Sequence, residues 1–183
     1  MKEFPKIVFC DFDGTLTKQG MLSPVFFNVL DLIKKNNSEL AVVTGRALSW
    51  AHFLLTHFEI NCVITEGGGM ISEKSENDFK DKILITSEEL ESLEIFTKQL
   101  LLKFPEITLS EDSSCRKTDR AIDLKVLKRA SLDEEINAFL SKNEINYSRS
   151  NVHLNFWCGK VSKGNAIHYY LKSRSLDQSD CLF

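Results

Sequence analysis

Two rhythms of apolar residues divide the chain. In the first, short unbroken apolar runs alternate with stretches whose apolar residues recur at helical spacing. Residues 7–10 (Ile7, Val8, Phe9, Cys10), 40–43 and 62–64 are such runs, with the length and composition of strands buried on both faces. Between the first two, Ser23-Pro24 opens a helix that Phe26, Phe27, Leu30 and Ile33 carry and Asn36-Asn37 closes. Between the second and third, Leu48, Ala51, Leu54, Leu55 and Phe58 mark another helix. Strand, helix, strand, helix, strand at this pitch predicts a parallel sheet covered by helices. Gly67, Gly68 and Gly69 interrupt the pattern, and Met70 and Ile71 are expected to form a short hairpin strand.

Past Asp78 the rhythm changes. Residues 83–85 read as a short strand or connector. Thr86 and Glu89 have capping-box spacing ahead of Leu90, Leu93, Phe96 and Leu100. Residues 107–109 and 121–124 read as strands. Ser131 and Glu134 repeat the capping spacing before a helix through Ile136, Phe139 and Leu140, and strands are expected at Tyr147 and over 152–157. The order helix, strand, strand, helix, strand, strand predicts an α+β unit folded on its own small sheet. Ser162 then caps a last helix through Lys163, Ala166, Ile167, Tyr170 and Leu171, and Cys181, Leu182 and Phe183 read as the start of a strand. The predicted organisation is an α/β core over 1–85 and 159–183 with a small α+β domain inserted over 86–158.

Composition narrows the function classes. A chain of 183 residues, 43% hydrophobic and 27% charged, is that of a soluble globular protein with room for one domain and a small insertion. A net charge of −3 gives no electrostatic case for nucleic acid or an anionic membrane surface as partner. No uncharged apolar run reaches membrane-spanning length, and the opening MKEFPK lacks a signal peptide's apolar stretch, so a cytoplasmic location is expected. Cys10, Cys62, Cys115, Cys158 and Cys181 are scattered without zinc-like pairing and read as free thiols. His52, His57, His153 and His168 form no motif.

The candidate chemistry begins where the first strand ends. Asp11 and Asp13 emerge at its carboxyl end, where open α/β sheets place their ligands, and Gly14 permits a tight backbone path. Thr44, after the second strand, can cap the following helix, offer its hydroxyl to a phosphoryl oxygen, or do both. Arg46 is either a surface cation or a fork-shaped donor for an anionic substrate portion. Lys163 stands at a helix start, where a cation opposes the helix dipole unless it turns toward an anion. Arg116, Lys117, Thr118 and Asp119 either form a solvated sheet edge or read a substrate.

DFDGTLT at 11–17, VVTGR at 42–46, RKTDRAIDL at 116–124 and VSKGNAIHYYL at 161–171 together resemble the haloacid dehalogenase-like superfamily. Within it they resemble the branch with an α+β cap after the third core strand: Cof-type hydrolases and sucrose-phosphate, mannosyl-3-phosphoglycerate and archaeal phosphoglycolate phosphatases. The resemblance implies a Rossmann-like parallel sheet core with an inserted small α+β cap domain. It implies a Mg²⁺-dependent phosphomonoester hydrolase acting through an aspartyl-phosphate on a small sugar, glycerate or glycolate phosphate. Asp11 would be the nucleophile and a metal ligand. Asp13 would be the general acid and base, with its carbonyl on the metal. Thr44 would contact the phosphoryl group, Lys163 would balance charge, and Gly45, Arg46, Arg116 and Lys117 would bind substrate. A phosphotransferase of the same fold and a noncatalytic phosphometabolite-binding protein stand beside that expectation.

Two departures accompany the likeness. The branch commonly reads Glu-Asn-Gly after its third strand, where this chain reads Glu66-Gly67-Gly68. The fourth motif, a strand followed by Gly-Asp and a second Asp, has no match, since Asp177 and Asp180 precede the final apolar residues. The sequence is therefore expected to be cut short or to belong to a relative lacking that motif.

Overall fold

The computed structural model describes residues 4–76 and 78–183. The chain divides into two compact units, Met1–Leu84 with Ser162–Phe183, and Ile85–Val161. The architecture is a mixed α/β core with an inserted α+β unit.

In the first unit a six-stranded sheet is built from β1 (Ile7–Asp11), β4 (Glu39–Val43), β5 (Cys62–Thr65), β6 (Met70–Lys74), β7 (Phe79–Ile83) and β11 (Cys181–Leu182). A two-stranded hairpin, β2 (Thr17–Lys18) with β3 (Met21–Leu22), follows β1. The sheet order is β11-β1-β4-β5-β6-β7. The strands from β11 to β5 run parallel, whereas β5-β6-β7 is an antiparallel meander. Side chains alternate across the strands and so fill two cores. On one face Leu40, Val42 and Val63 pack with Phe26 and Ile33 of α1 (Pro24–Lys35) and Ala51, Leu54 and Leu55 of α2 (Leu48–His57). On the other, Ile7, Phe9, Ala41, Val43 and Ile64 pack with Ala166, Tyr170 and Leu171. Those last three belong to α6 (Lys163–Ser173). Burial on both faces explains why β4 and β5 are continuously apolar.

The sequence pattern misses β7, expecting structure only over 83–85. Phe79–Ile83 lies at the sheet edge and is exposed along most of its length, so it has no buried face to write an apolar alternation. The sheet is also only partly parallel. The parallel expectation holds for β11, β1, β4 and β5, and the hairpin expected at Met70 extends it with antiparallel strands.

The second unit holds α3 (Ser87–Lys103), β8 (Arg120–Asp123), α4 (Leu124–Ala130), α5 (Asp133–Lys142), β9 (Asn146–Arg149) and β10 (His153–Trp157). Its antiparallel sheet has the order β8-β10-β9. Leu93, Phe96 and Leu100 of α3, Ile136 and Leu140 of α5, and Leu154 and Phe156 of β10 form its core. Thr86 and Glu89 make the full reciprocal capping box, with Glu89 N to Thr86 Oγ1 at 3.2 Å and Thr86 N to Glu89 Oε2 at 2.8 Å. Gly159, with φ +85°, lies against the Glu89 carboxylate so closely that a Cβ would collide with it.

Three expectations for this unit are corrected. Residues 107–109 form no strand. The Ile107 N–H is turned back to the Phe104 carbonyl, and one bond, Ser110 N–H to Ala121 O, joins the segment to β8. Leu124 does not continue β8 but starts α4, because the Asp123 carboxylate takes the Lys125 N–H at 2.7 Å and caps a helix there. Ser131 is not the cap of α5. It closes α4 in the left-handed region at φ 57°, and Leu132 precedes α5 without a side-chain cap. Among the described residues, no helix is long and apolar enough to cross a membrane.

Candidate active site

Asp11 ends β1 beside Val43 of β4, at the carboxyl end of the parallel strands. Its Oδ1 accepts from the Phe12 N–H at 3.0 Å and from Lys163 Nζ at 2.8 Å. Lys163 is the first residue of α6, which the Ser162 hydroxyl caps by accepting from Asn165 N–H. The ammonium sits at the positive end of a helix and is offset by the Asp11 carboxylate. Both side chains remain part-exposed, at 37% for Lys163 and 42% for Asp11. At that exposure an ion pair contributes at most about 1 kcal/mol to folding. Stability alone is a poor reason for the arrangement.

Asp13 stands in the turn after β1, with Gly14 at φ 82°. Arg46 grips its carboxylate: Nε lies 2.9 and 3.1 Å from the two oxygens and Nη2 lies 2.7 Å from Oδ1. The same guanidinium lies 3.9 Å from the Trp50 ring centroid and 5.5 Å from that of Phe12. The aromatic faces restrict its position. In this arrangement the charge of Arg46 is directed at Asp13.

Thr44 is buried, and its Oγ1 accepts from Arg46 N–H at 3.2 Å within its own loop. It does not cap α2, whose preceding residue is Ala47, without a side-chain cap. The cap comes instead from Glu66, which is 2% exposed and accepts the Leu48 N–H on Oε1 at 3.2 Å. No sequence expectation attaches to Glu66, because a cap arriving from a residue so far along the chain leaves no local spacing signal. The missing amide at position 67 finds a backbone reason. Gly67 has φ 65°, a conformation that Asn and Gly both adopt readily. Gly45 sits in the same loop, with open space where a side chain would be.

In the inserted unit Arg116 is buried and its charge is directed inward. Nη1 lies 2.9 Å from both Asp119 oxygens and Nη2 lies 2.7 Å from Asp112 Oδ2, while Asn155 donates to Asp119 at 2.9 Å. Burial works against the charged guanidinium, but Asp119 and then Asp112 outweigh it and hold Arg116 firmly protonated. Burial likewise works against the Asp112 carboxylate, and the bonds from Arg116 and Ser110 bring it below the usual carboxylate range. Lys117, between buried Arg116 and Thr118, is exposed.

Among the described residues, no group of three or more His, Cys, Asp or Glu side chains is arranged to hold a metal. The oxygen donors at the end of β1 nevertheless suit Mg²⁺. It keeps several waters and needs only one or two protein oxygens beside a substrate phosphate. Asp11 Oδ1 is engaged by Phe12 and Lys163, and the carboxylate keeps its second oxygen for such a contact.

Three solved structures share the fold. A Thermoplasma acidophilum protein is 16% identical, with a TM-score of 0.71, the match covering 97% of this chain and 75% of that one. A haloalkanoate-superfamily phosphatase from Bacteroides thetaiotaomicron is 13% identical at a TM-score of 0.65, with coverages of 98% and 76%. The C-terminal domain of a C. albicans trehalose-6-phosphate phosphatase is 15% identical at a TM-score of 0.63, and this chain spans 62% of it while 92% of this chain is covered. No curated protein matches the sequence. The family profile of the haloacid dehalogenase-like hydrolases matches residues 8–112, more than half the chain, running from β1 through the core strands into the inserted unit. By that match, the chain belongs to the haloacid dehalogenase-like hydrolases.

Proposed function

We propose that the Asp11 site hydrolyses phosphomonoesters of a small polar metabolite, a sugar, glycerate or glycolate phosphate, through an aspartyl-phosphate. One observation carries this reading: Lys163 Nζ lies 2.8 Å from Asp11 Oδ1, although 152 residues separate them. A carboxylate poised to attack a phosphate dianion needs a neighbouring cation, and the fold brings one from the far end of the chain. The likeness to phosphatase folds from B. thetaiotaomicron and C. albicans supports the reaction class, and the substrate class is proposed from the resemblance of the four motifs to the capped Cof-type branch.

In this reading Asp11 attacks phosphorus and the ester oxygen leaves with its electron pair. Asp13 delivers a proton to that oxygen, then takes one from the water that cleaves the acyl-phosphate and regenerates Asp11. Arg46 orients the Asp13 carboxylate. Thr44 and Gly45 offer loop groups to the phosphoryl oxygens, and Lys163 neutralises charge on the transferring group. Asp11 and the Asp13 carbonyl would hold Mg²⁺, whose charge would offset the repulsion between carboxylate and phosphate. Lys117 reads the nonreacting portion of the substrate, and Arg116 stiffens the segment that presents it.

The test is phosphate release from a panel of sugar, glycerate and glycolate phosphates, with Mg²⁺ and after chelation. Chelation should abolish turnover. Release that persists undiminished after chelation refutes the metal's role, and absence of both turnover and a trappable phosphoenzyme across the panel refutes the hydrolase.

A further inference from the structure

The turn over 66–69 touches both halves of the candidate site. From Glu66 the backbone N–H donates to Arg46 O at 2.9 Å, and from Gly67 it donates to Thr44 O at 3.2 Å. With the Leu48 N–H to Glu66 Oε1 bond, three hydrogen bonds fasten the loop carrying Thr44, Gly45 and Arg46 to this turn. On its other side Gly68, at φ +112°, lies so close to the Ser162 carbonyl that a Cβ would collide with it and would stand 2.9 Å from Lys163 N. The turn thus abuts the backbone from which Lys163 springs.

The cap on α2 has an unusual source. Ala47, the residue before the helix, is fully buried and has no polar group with which to cap it. A Ser or Asp there would satisfy Leu48 N–H locally and leave only backbone bonds between the loop and the end of β5. With Glu66 in that role, a side-chain bond adds the start of α2 to the backbone contacts that join loop and turn. The side chain is buried at the start of α2, within hydrogen-bonding distance of its first N–H. Glu66 itself is held at φ 53°, uncommon for a residue with a side chain. Strain of this kind persists only where surrounding bonds fix it.

We propose that Glu66 is a positioning residue for the phosphate site: its carboxylate sets the 44–46 loop while Gly68 in the same turn sets Lys163. The proposal rests on the phosphate-site reading above and deepens it. The experiment compares wild type, Glu66→Ala, Glu66→Gln and Gly68→Ala in the 183-residue chain. It measures amide hydrogen exchange over 44–48 and at 163, together with binding of inorganic phosphate in the presence of Mg²⁺.

Glu66→Ala should raise exchange over 44–48 at least about tenfold, leave β1 and α1 unchanged, and weaken phosphate binding on the order of 10- to 100-fold. Glu66→Gln keeps an acceptor for Leu48 N–H and should bring both readouts back to within about threefold of wild type. Gly68→Ala should instead raise exchange at 163. A folded Glu66→Ala with wild-type exchange over 44–48 overturns the proposal, as does a Glu66→Gln no better than Glu66→Ala. Loss of protection throughout the unit would show a merely structural role and also overturn it. A wild-type chain that binds no phosphate defeats the phosphate-site reading, and the exchange over 44–48 still decides whether Glu66 holds the loop.

Discussion

Two carboxylate–cation pairs, one in each unit, use the same chemistry to opposite ends. In the first unit Lys163 and Asp11 meet with 37% and 42% of their side chains exposed. In the second Arg116 and Asp119 meet with 2% and 4% exposed, and Asp112 and Asn155 complete the cluster. Burial separates their work. An exposed pair adds little stability and leaves its charges within reach of a ligand. A buried pair is held by its own partners, and losing one strands the other in a low dielectric. RKTD thus contains two kinds of cation, a buried one that supports the segment and an exposed one, Lys117, beside it.

The sharpest way to break the comparison is at Asp11, the proposed nucleophile. Asp11→Asn should cut turnover at least about 10³-fold and abolish the phosphoenzyme. Asp13→Asn, losing proton transfer, should cost roughly 10²–10⁴-fold and accumulate a trapped phosphoenzyme from a substrate with a good leaving group. Acid-quench labelling distinguishes the two, and an adduct in Asp11→Asn would refute its role. Neither change should move the thermal midpoint much.

At the buried pair the balance inverts. Arg116→Met leaves Asp119 without its main cation, and a loss of about 3–5 kcal/mol in the stability of the inserted unit is expected from denaturant unfolding. A loss below about 1 kcal/mol would place Arg116 with surface pairs instead.

Acid should find the buried cluster. The Asp112 pKa is depressed in the fold by Arg116 and Ser110 against the cost of burial. Its contribution is therefore complete above the unfolded carboxylate value of about 4 and is lost as pH falls through the lower folded value. Asp112→Asn should flatten the fall in stability below about pH 4 relative to wild type. An unchanged acid limb would remove Asp112 from the account.

The smallest effect on stability is expected at Lys163. Lys163→Met should change unfolding stability by less than about 1 kcal/mol while removing most phosphate affinity. A large stability loss with binding intact would erase the contrast between the pairs.

What the sequence could reveal follows from the same distinction between local and distant causes. β1, β4 and β5 are legible because burial on both faces leaves continuous apolar runs. β7 is not, because an exposed edge has no such constraint, and α4 is hidden because Asp123 both ends a strand and caps a helix. Asp11, Asp13 and Lys163 stand in recognisable strings. The grip of Arg46 on Asp13 and the cap that Glu66 supplies to α2 depend on residues brought together by the fold, with no fixed spacing to betray them.

Gly159 bears on how such a protein could be assembled from parts. Where its backbone presses on Glu89, the segment that follows β10 lies alongside the capping box that opened the inserted unit. Entry and exit are neighbours, and a hydrophobic core of its own lies between them. A segment built this way is portable: a host chain need only open one surface loop to receive it and need not be rethreaded. Exchange of residues 85–161 for a foreign counterpart should therefore require that a glycine be kept at the exit.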